Sequence, residues 1–250
     1  MDKTKHLDQI AEFYNENDFD YILLYYALKI FESVKYGSEF LEMGCSIGLS
    51  TKYLLRYAKS MDVVEGSTKN IERTRGRINR DRRVKFYNAL WEDFEYPEYK
   101  YSDIIWFRGI EHIKDPLPVL INIKKALKLG GRIHITFPNA LSLHRRLGVY
   151  MGIIKSPWEF SERDIKLGHY DIYDRFKVAS LLKDAGYKIL SFHGIILKPL
   201  PNNKMMELYK ENPKLIEALF EIGKELPDYC AEIYICATPE EVEDENKSKS

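Results

Sequence analysis

The sequence is short of cysteine and has no excess of either charge. Its 250 residues include three cysteines, Cys45, Cys230 and Cys236, and no C-x-x-C pair. This odd number and spacing argue against a disulfide framework and a four-cysteine zinc site, so we expect reduced thiols and assign no metal ligands. The charges balance at 38 basic and 38 acidic residues. This balance argues mildly against a dedicated nucleic-acid-binding protein.

Long apolar runs are also missing. The longest, Tyr21–Leu28, has eight residues, whereas a helix needs about 20 apolar residues to cross a bilayer. The first ten residues are charged and lack the apolar core of a signal peptide. We therefore expect a soluble cytoplasmic protein that does not bind membranes.

The sequence does contain an alternation of strand and helix patterns. Hydrophobic residues make up 45% of the chain, as is usual for a globular protein. Strands are predicted over 38–43, 61–65, 84–88, 103–107, 132–137, 187–197 and 231–237, and helices over 49–59, 69–79, 116–129 and 173–185. Turn signals separate these elements. The pattern predicts an α/β fold with a mainly parallel sheet covered by helices on both faces.

The most informative segment is the turn after the first strand, residues 40–50 (FLEMGCSIGLS). Small residues there let a ligand approach the backbone closely. The helix that follows offers unpaired N–H groups at its N-terminus. A dinucleotide fingerprint G-x-G-x-x-G would need glycine where Ser46 and Leu49 stand. The sequence therefore disfavours NAD as the cofactor.

The same turn resembles the first motif of class I S-adenosylmethionine-dependent methyltransferases, acidic-x-Gly-x-Gly-x-Gly. Glu42, Gly44, Ser46 and Gly48 occupy its four positions. The resemblance implies that the last three contact the cofactor. It also implies that Glu42 orients the loop or reaches the methionine amino group through water. Cys45 is interpreted as a small spacer within this cofactor-binding loop rather than as a nucleophile.

A second matching feature is a carboxylate at the end of the second strand. Glu65 lies twenty-three positions after Glu42 and is followed by Gly66. The resemblance implies that Glu65 accepts hydrogen bonds from both ribose hydroxyls of the cofactor. An acidic residue performs the same task in dinucleotide-binding folds.

A third feature is the loop after the third strand, residues 88–93 (NALWED). In the family this loop borders the adenine ring, so Ala89, Leu90 and Trp91 are assigned to the cofactor site. Many members have aspartate where Leu90 stands. Backbone groups with Trp91 packing, or Glu92, are therefore the alternatives for the adenine contact.

The fourth feature is the segment 108–116 (RGIEHIKDP), after the fourth strand. It resembles the L-E-H-x-x-D-P signature of the subset that contains ubiquinone-type methyltransferases. Arg108 and Gly109 are assigned to the cofactor site on this basis.

The four motifs together imply a Rossmann-like, doubly wound sheet of seven strands whose last strand is antiparallel. They imply S-adenosylmethionine as the cofactor and S-adenosylhomocysteine as the product. Three histidines are candidates for an active-site role, because a neutral imidazole can accept the proton of a hydroxyl substrate: His112, His144 and His169. His134 is interpreted as a core histidine, and His6 and His193 as structural or surface residues.

Two insertions depart from the alternating pattern. The methyltransferase domain is expected to span 1–237, and its insertions at 138–169 and 198–228 are expected to form a helical lid over the substrate. Residues 238–250 are expected to be a disordered acidic tail. Candidates to line the lid are Tyr150, Trp158, Tyr170 and Met205.

The acceptor is suggested by resemblance alone. Residues 137–148 (FPNALSLHRRLG) and 167–174 (LGHYDIYD) resemble a bacterial subgroup in which some members resemble sugar-modifying enzymes. We therefore expect a small-molecule acceptor, preferably a sugar or nucleotide-linked sugar hydroxyl in surface polysaccharide biosynthesis, and leave a homodimer open. The alternatives are an RNA or protein methyltransferase and a non-catalytic cofactor-binding protein. The basic run over 69–85 is interpreted as a solvated helix face.

Overall fold

A sheet of seven strands forms the centre of the computed structural model, which describes residues 3–35 and 38–240. The strands are β1 (Glu39–Met43), β2 (Ser60–Glu65), β3 (Val84–Asn88), β4 (Tyr101–Phe107), β5 (Leu127–Pro138), β6 (Tyr187–Ile195) and β7 (Glu232–Pro239). Their order across the sheet is β3-β2-β1-β4-β5-β7-β6. Strands β1 to β5 pair in parallel, and β7 is antiparallel to both β5 and β6. The Rossmann-like sheet with an antiparallel last strand is therefore confirmed.

Ten α-helices accompany these strands in the described residues. They are α1 (Lys3–Ile10), α2 (Phe19–Val34), α3 (Leu49–Leu54), α4 (Thr68–Arg77), α5 (Pro116–Ala126), α6 (Leu143–Tyr150), α7 (Glu162–Lys166), α8 (Arg175–Asp184), α9 (Asn202–Glu211) and α10 (Pro213–Glu225). Short polar side chains begin several of them; Ser67, Asp115 and Asp174 each accept a backbone N–H in the first turn.

The sheet has a hydrophobic core on each face. Because successive strand side chains point to opposite faces, Ile104 packs with α5 and α8, whereas Ile105 packs with α2. Both isoleucines are at most 1% exposed. Burial on both faces explains why apolar residues stand at adjacent positions in these strands, as in Phe40–Leu41 of β1 and Val63–Val64 of β2.

All four helices predicted from the sequence end earlier than expected, two of them by at least three residues. The helix expected over 116–129 ends at Ala126, because Leu127 is extended and pairs with Tyr101 of β4. The helix expected over 49–59 ends at Leu54. The next residues form a tighter turn in which the N–H of Tyr57 donates to the carbonyl of Leu54 at 2.9 Å.

The expectation that 198–228 forms a lid is wrong for most of its length. Helices α9 and α10 lie in this segment and pack on α2 and β6 instead. Met205 and Ile216 are fully buried in that core, and the ring of Phe220 lies 4.5 Å from that of Tyr26. The apolar faces of both helices thus hold them against the sheet layer.

The carboxyl-terminal boundary also differs slightly. Strand β7 continues through Pro239, two residues past the expected end of the domain at 237. Of the expected tail, residues 241–250 lie outside the described residues. Within 3–35 and 38–240, no helix is long and apolar enough to cross a membrane.

Candidate functional site

The turn after β1 has the backbone geometry that a cofactor loop requires. Gly44, Ser46 and Gly48 have φ angles of 84°, 48° and 81°, all in the left-handed region. Glycine adopts this region without strain, and a short polar residue such as Ser46 adopts it more readily than a bulky one. The N–H of Gly44 donates to the carbonyl of Val64 at 2.9 Å. The turn is thereby fixed to the end of β2.

Glu42 is bound to the helix that follows this turn. Its carboxylate accepts hydrogen bonds from the hydroxyls of Ser50 at 2.5 Å and Thr51 at 2.6 Å. Burial raises the pKa of Glu42 to about 7, and the two hydroxyl bonds oppose that shift. Glu42 borders a small cavity of about 90 Å³ beside the main one. Glu42 thus joins β1 to α3, and its role toward the loop and the cofactor stays a prediction.

Glu65 faces the main cavity while bound to two backbone groups. Its carboxylate accepts the N–H of Cys45 at 3.1 Å and the N–H of Ser67 at 2.8 Å. Burial raises the pKa of Glu65, and these N–H groups oppose the shift. The backbone N–H of Ser46 and the side chain of Asn70 also lower the pKa of this carboxylate. Nearby, the buried Oδ1 of Asn70 has no hydrogen-bond partner among the described residues.

Trp91 forms one wall of the site. Its indole Nε1–H donates to the carbonyl of Val64 at 3.0 Å. A Cβ built on Gly44 would lie only 2.8 Å from the Trp91 ring, so glycine is required at this contact. A Cβ on Gly109 would collide with the indole of Trp106. Both glycines are therefore explained by close packing around the two tryptophans.

The main cavity has a volume of about 350 Å³ and lies at the carboxyl ends of β1, β2 and β4. Most of the sequence-predicted cofactor residues line it: Gly44, Ser46, Glu65, Gly66, Ala89, Leu90, Trp91 and Arg108. Cys45, Gly48 and Gly109 are not among the residues that line it. The thiol of Cys45 is buried, which raises its pKa well above the usual value and excludes an activated nucleophile.

Helix α1 covers this cavity, which sequence reasoning missed. His6, Leu7 and Ile10 line the cavity from above. The adjoining Asp8 accepts the hydroxyl of Ser67 at 2.6 Å and the backbone N–H of Lys69 at 3.1 Å. Asp8 thus binds α1 to the N-terminus of α4, where a carboxylate is favoured.

The basic residues of α4 also hold this N-terminal segment. Lys69 pairs with Glu12, and Arg77 pairs with Glu16. Arg73 donates to the carbonyl of Ala11 at 2.6 Å. The expectation of a purely solvated face is therefore wrong for these three cations. Their spacing of four residues matched a helix face, but only the fold shows which segment they contact.

A second, smaller cavity of about 120 Å³ adjoins the first. Residues from the 138–169 insertion form one side of it. The rest comes from α2, the segment after β4, residues 171–173, Lys198 and Asn202 near the start of α9, and residues 231–232. Its charged lining residues are Asp20, Arg108, Glu111, Arg145, Arg163, Asp164, Asp171, Lys198 and Glu232. Lys198 is 6% exposed, and burial lowers its pKa to about 8.

Arg108 lies between the two cavities. Its φ is 52°, in the left-handed region, and its N–H donates to the carbonyl of Thr136 at 2.8 Å. Its guanidinium Nη1 lies 3.1 Å from Asp20 and 3.1 Å from Glu232. The guanidinium keeps the pKa of Asp20 well below its usual range, whereas burial raises that of Glu232 to about 7. Arg108 is thus neutralised by two carboxylates.

The three candidate histidines lie around the junction of the cavities. The ring centroids of His112 and His169 are 4.8 Å apart, and both rings line the main cavity. His169 also lines the second cavity, together with His144. Burial lowers the pKa of His112 and of His144 to about 3, so both are neutral at pH 7 and weakly basic. His169 differs, because its Nδ1 lies 3.1 Å from the carboxylate of Asp164.

The remaining residues singled out in the sequence are a core histidine and four candidates for the lid lining. His134 is a core histidine, as expected, with Nδ1 2.6 Å from the hydroxyl of Tyr234. Tyr170 lines the main cavity. Tyr150 is 88% exposed and Trp158 is 47% exposed, so neither forms the cavity wall expected of it. Met205, the fourth lid candidate, is buried in the α9 core.

Fold and site define a class I methyltransferase. Residues 14–191 match the family model described as a methyltransferase domain. The chain therefore belongs to this methyltransferase family, as the four motifs predicted, and its methyl donor is S-adenosylmethionine. No curated protein sequence matches the chain.

Solved structures show the same fold at low sequence identity. An S-adenosylmethionine-dependent methyltransferase from Mesorhizobium loti has 14% identity and a TM-score of 0.61, with 86% of this chain and 97% of that chain covered. The N-methyltransferase NodS from Bradyrhizobium japonicum has 14% identity and a TM-score of 0.58, covering 89% and 97%. Phosphoethanolamine N-methyltransferase 2 from Haemonchus contortus, in complex with S-adenosyl-L-methionine, has 18% identity and a TM-score of 0.59, covering 86% and 52%.

Proposed function

We propose that this enzyme methylates a hydroxyl group of a sugar or nucleotide-linked sugar, as a cytoplasmic step of surface polysaccharide synthesis. The observation that carries the proposal is the polar second cavity, which adjoins the cofactor cavity through Arg108 and His169. Its carboxylates, guanidinium groups and buried ammonium suit an acceptor with many hydroxyls. The polysaccharide context comes from the resemblance of residues 137–148 and 167–174 to the sugar-modifying subgroup.

The residues of the main cavity fit S-adenosylmethionine. The carboxylate of Glu65, which faces the main cavity, suits the ribose hydroxyls, and the unpartnered Oδ1 of Asn70 suits a further donor. Trp91 and Leu90 provide apolar walls for the adenine, with backbone groups of residues 89–91 as its polar partners. When bound, the cofactor supplies an electrophilic methyl group on a sulfonium and leaves as a neutral thioether.

The residues around the junction are proposed to position the acceptor and remove its proton. A hydroxyl oxygen must lose its proton as it gains the methyl group. His112 and His144 are weak bases in their buried settings. The His169 imidazole is backed by Asp164, which stabilises the positive charge formed on proton uptake. His169 is therefore the proposed proton acceptor, and His112 and His144 orient the hydroxyl.

The charge of the second cavity supports a small acceptor over RNA. Asp20, Glu111, Asp164 and Glu232 all line it. Buried carboxylates repel a phosphate backbone, whereas RNA-binding sites depend on unpaired cations. Here Arg108 is already paired with two of these carboxylates.

The proposal is tested by measuring S-adenosylhomocysteine release with a panel of nucleotide-linked sugars, total RNA and a peptide library. We expect release with one or more sugars. The variant Lys198→Gln is expected to raise the acceptor KM and leave the cofactor Kd unchanged, because Lys198 lines the second cavity and hydrogen-bonds to Asn202, away from the cofactor cavity. Lys183→Gln, at an exposed position of α8, is the control. Methylation of RNA or peptide without any sugar-dependent release would overturn the proposal.

A further inference from the structure

Three potential metal ligands converge between the two cavities. One ligand atom each from Glu111, His112 and His169 lies within 4.8 Å of the other two. Glu111 and His112 belong to a short 3₁₀ turn after β4, and His169 follows α7. The N–H of Tyr170 donates to the carbonyl of Glu111 at 2.8 Å and holds the two segments together.

Glu111 is a buried carboxylate without the partners it needs. It is 2% exposed, and neither of its oxygens accepts a hydrogen bond from another residue in 3–35 or 38–240. Burying an ionised carboxylate without partners is costly, so such groups are usually paired or bound to a metal. Among the described residues, no nitrogen of His169 lies within 4.0 Å of a Glu111 oxygen, so the two side chains do not form a direct ion pair.

The surroundings of His169 are those of a metal-binding histidine. Its Nδ1 lies 3.1 Å from Asp164, which leaves Nε2 free as a ligand atom. Metal-bound histidines usually have their second ring nitrogen held by a carboxylate in this way. Asp164 is itself fixed by the backbone N–H of Ser161 at 2.8 Å. Arg108 lies nearby, but its charge is balanced by its carboxylate partners Asp20 and Glu232, so it does not repel a bound cation.

We propose that Glu111, His112 and His169 bind one divalent first-row transition-metal ion. Two imidazoles and a carboxylate suit Zn²⁺, Mn²⁺ or Fe²⁺, whereas Mg²⁺ prefers oxygen ligands alone. Metal–ligand bonds of about 2.1 Å place ligand atoms about 3–4 Å apart. The three ligand atoms, which lie within 4.8 Å of one another, therefore need only a small inward movement to bind one ion. Three protein ligands leave further positions open for an acceptor oxygen.

The catalytic consequence rests on the proposed function. A cation at this junction binds the acceptor hydroxyl and lowers its pKa, as metal ions do for bound water. The hydroxyl would then lose its proton to water, and the electron pair would stay on the oxygen that takes the methyl group. His144, whose pKa burial lowers to about 3, is too weak a base to accept this proton. In this form of the enzyme His169 is a ligand, and Asp164 orients it.

The test is metal binding by untagged protein, stripped with EDTA and titrated with Zn²⁺ and Co²⁺ in the absence of acceptor. We expect one ion per chain and visible Co²⁺ absorption bands typical of nitrogen and oxygen ligands. Glu111→Gln and His169→Gln should each weaken binding by tenfold or more, and Asp164→Asn by about tenfold. His193→Gln, a half-buried histidine outside both cavities, is the matched control and should bind like wild type.

Thermal denaturation of each variant separates loss of a ligand from loss of fold. Less than a tenth of an ion per chain, or unchanged binding in folded Glu111→Gln, would overturn the metal site. Sugar methylation that persists at full rate in EDTA would also overturn it while leaving the proposed function and the role of His169 as base intact. Failure of the proposed function is recognised separately, as metal binding without any sugar-dependent turnover.

Discussion

Replacing Glu65 by glutamine tests the cofactor site with almost no change of shape. The carboxylate accepts two backbone N–H groups, from Cys45 and Ser67, and one glutamine amide oxygen cannot serve both. Leaving one buried donor without an acceptor costs about 1–3 kcal/mol of folding free energy. A lost hydrogen bond from a ribose hydroxyl to a charged group costs about 1.5–3 kcal/mol of binding free energy. The cofactor Kd should therefore rise about 10- to 100-fold.

Calorimetric titration gives the Kd, and urea unfolding gives the stability. Asp62→Asn is the matched control, because Asp62 is a buried carboxylate on the same strand that accepts the hydroxyl of Tyr101 at 2.7 Å, away from both cavities. It should lose stability and keep its cofactor affinity. Wild-type affinity in Glu65→Gln, or an equal loss of affinity in both variants, would refute the reasoning.

Three further predictions follow from local geometry. Gly44→Ala should lose cofactor affinity and stability, because its φ is 84° and the new Cβ meets Trp91 at 2.8 Å; Gly76→Ala in α4 meets nothing within 4 Å among the described residues and should gain about 1 kcal/mol with unchanged Kd. The pKa of His144, lowered to about 3, lies below that of the unfolded chain, so its contribution to stability is lost as pH falls below 6.5. Urea unfolding should show wild type losing about 2 kcal/mol more than His144→Gln between pH 7 and pH 5; equal losses would contradict the assignment. Asp8→Ala should loosen α1, seen as faster hydrogen exchange over residues 4–13 and faster cofactor dissociation, and unchanged exchange there would show that Asp8 does not hold the helix.

The cofactor turn was predictable because its requirements are local. Gly44, Ser46 and Gly48 stand where the chain adopts left-handed backbone angles, and this need is visible in the residue types themselves. The carboxylate of Glu65 was predictable for a similar reason, since the ends of neighbouring parallel strands meet at one edge of the sheet.

The cover over the cofactor cavity was not predictable in this way. Helix α1 (KTKHLDQI) has little apolar periodicity, and its position depends on Asp8 contacting Ser67, 59 residues away. The segment 198–228 shows the opposite case. Its connection does begin on the cofactor side, where Lys198 reaches the second cavity, but the apolar face of α10 draws the rest against α2 and β6.

The grouping at the junction was only partly predictable. The E-H-x-x-D-P pattern placed Glu111 and His112 after β4, and His169 was a candidate by residue type alone. The pair of Asp164 and His169 is local, but the return of residues 164–170 onto the 3₁₀ turn depends on contacts such as that of Tyr170 with Glu111, 59 positions apart in the chain. Such contacts leave no periodic signal in the sequence.

The most direct test of the central claim is calorimetric titration of the purified protein with S-adenosylmethionine, with mass spectrometry of the denatured sample to detect co-purified S-adenosylhomocysteine. The structure predicts saturable binding of one cofactor per chain. If no heat of binding is observed, it predicts that co-purified product already occupies the site. Neither binding nor co-purified product in folded protein would contradict the assignment of the main cavity.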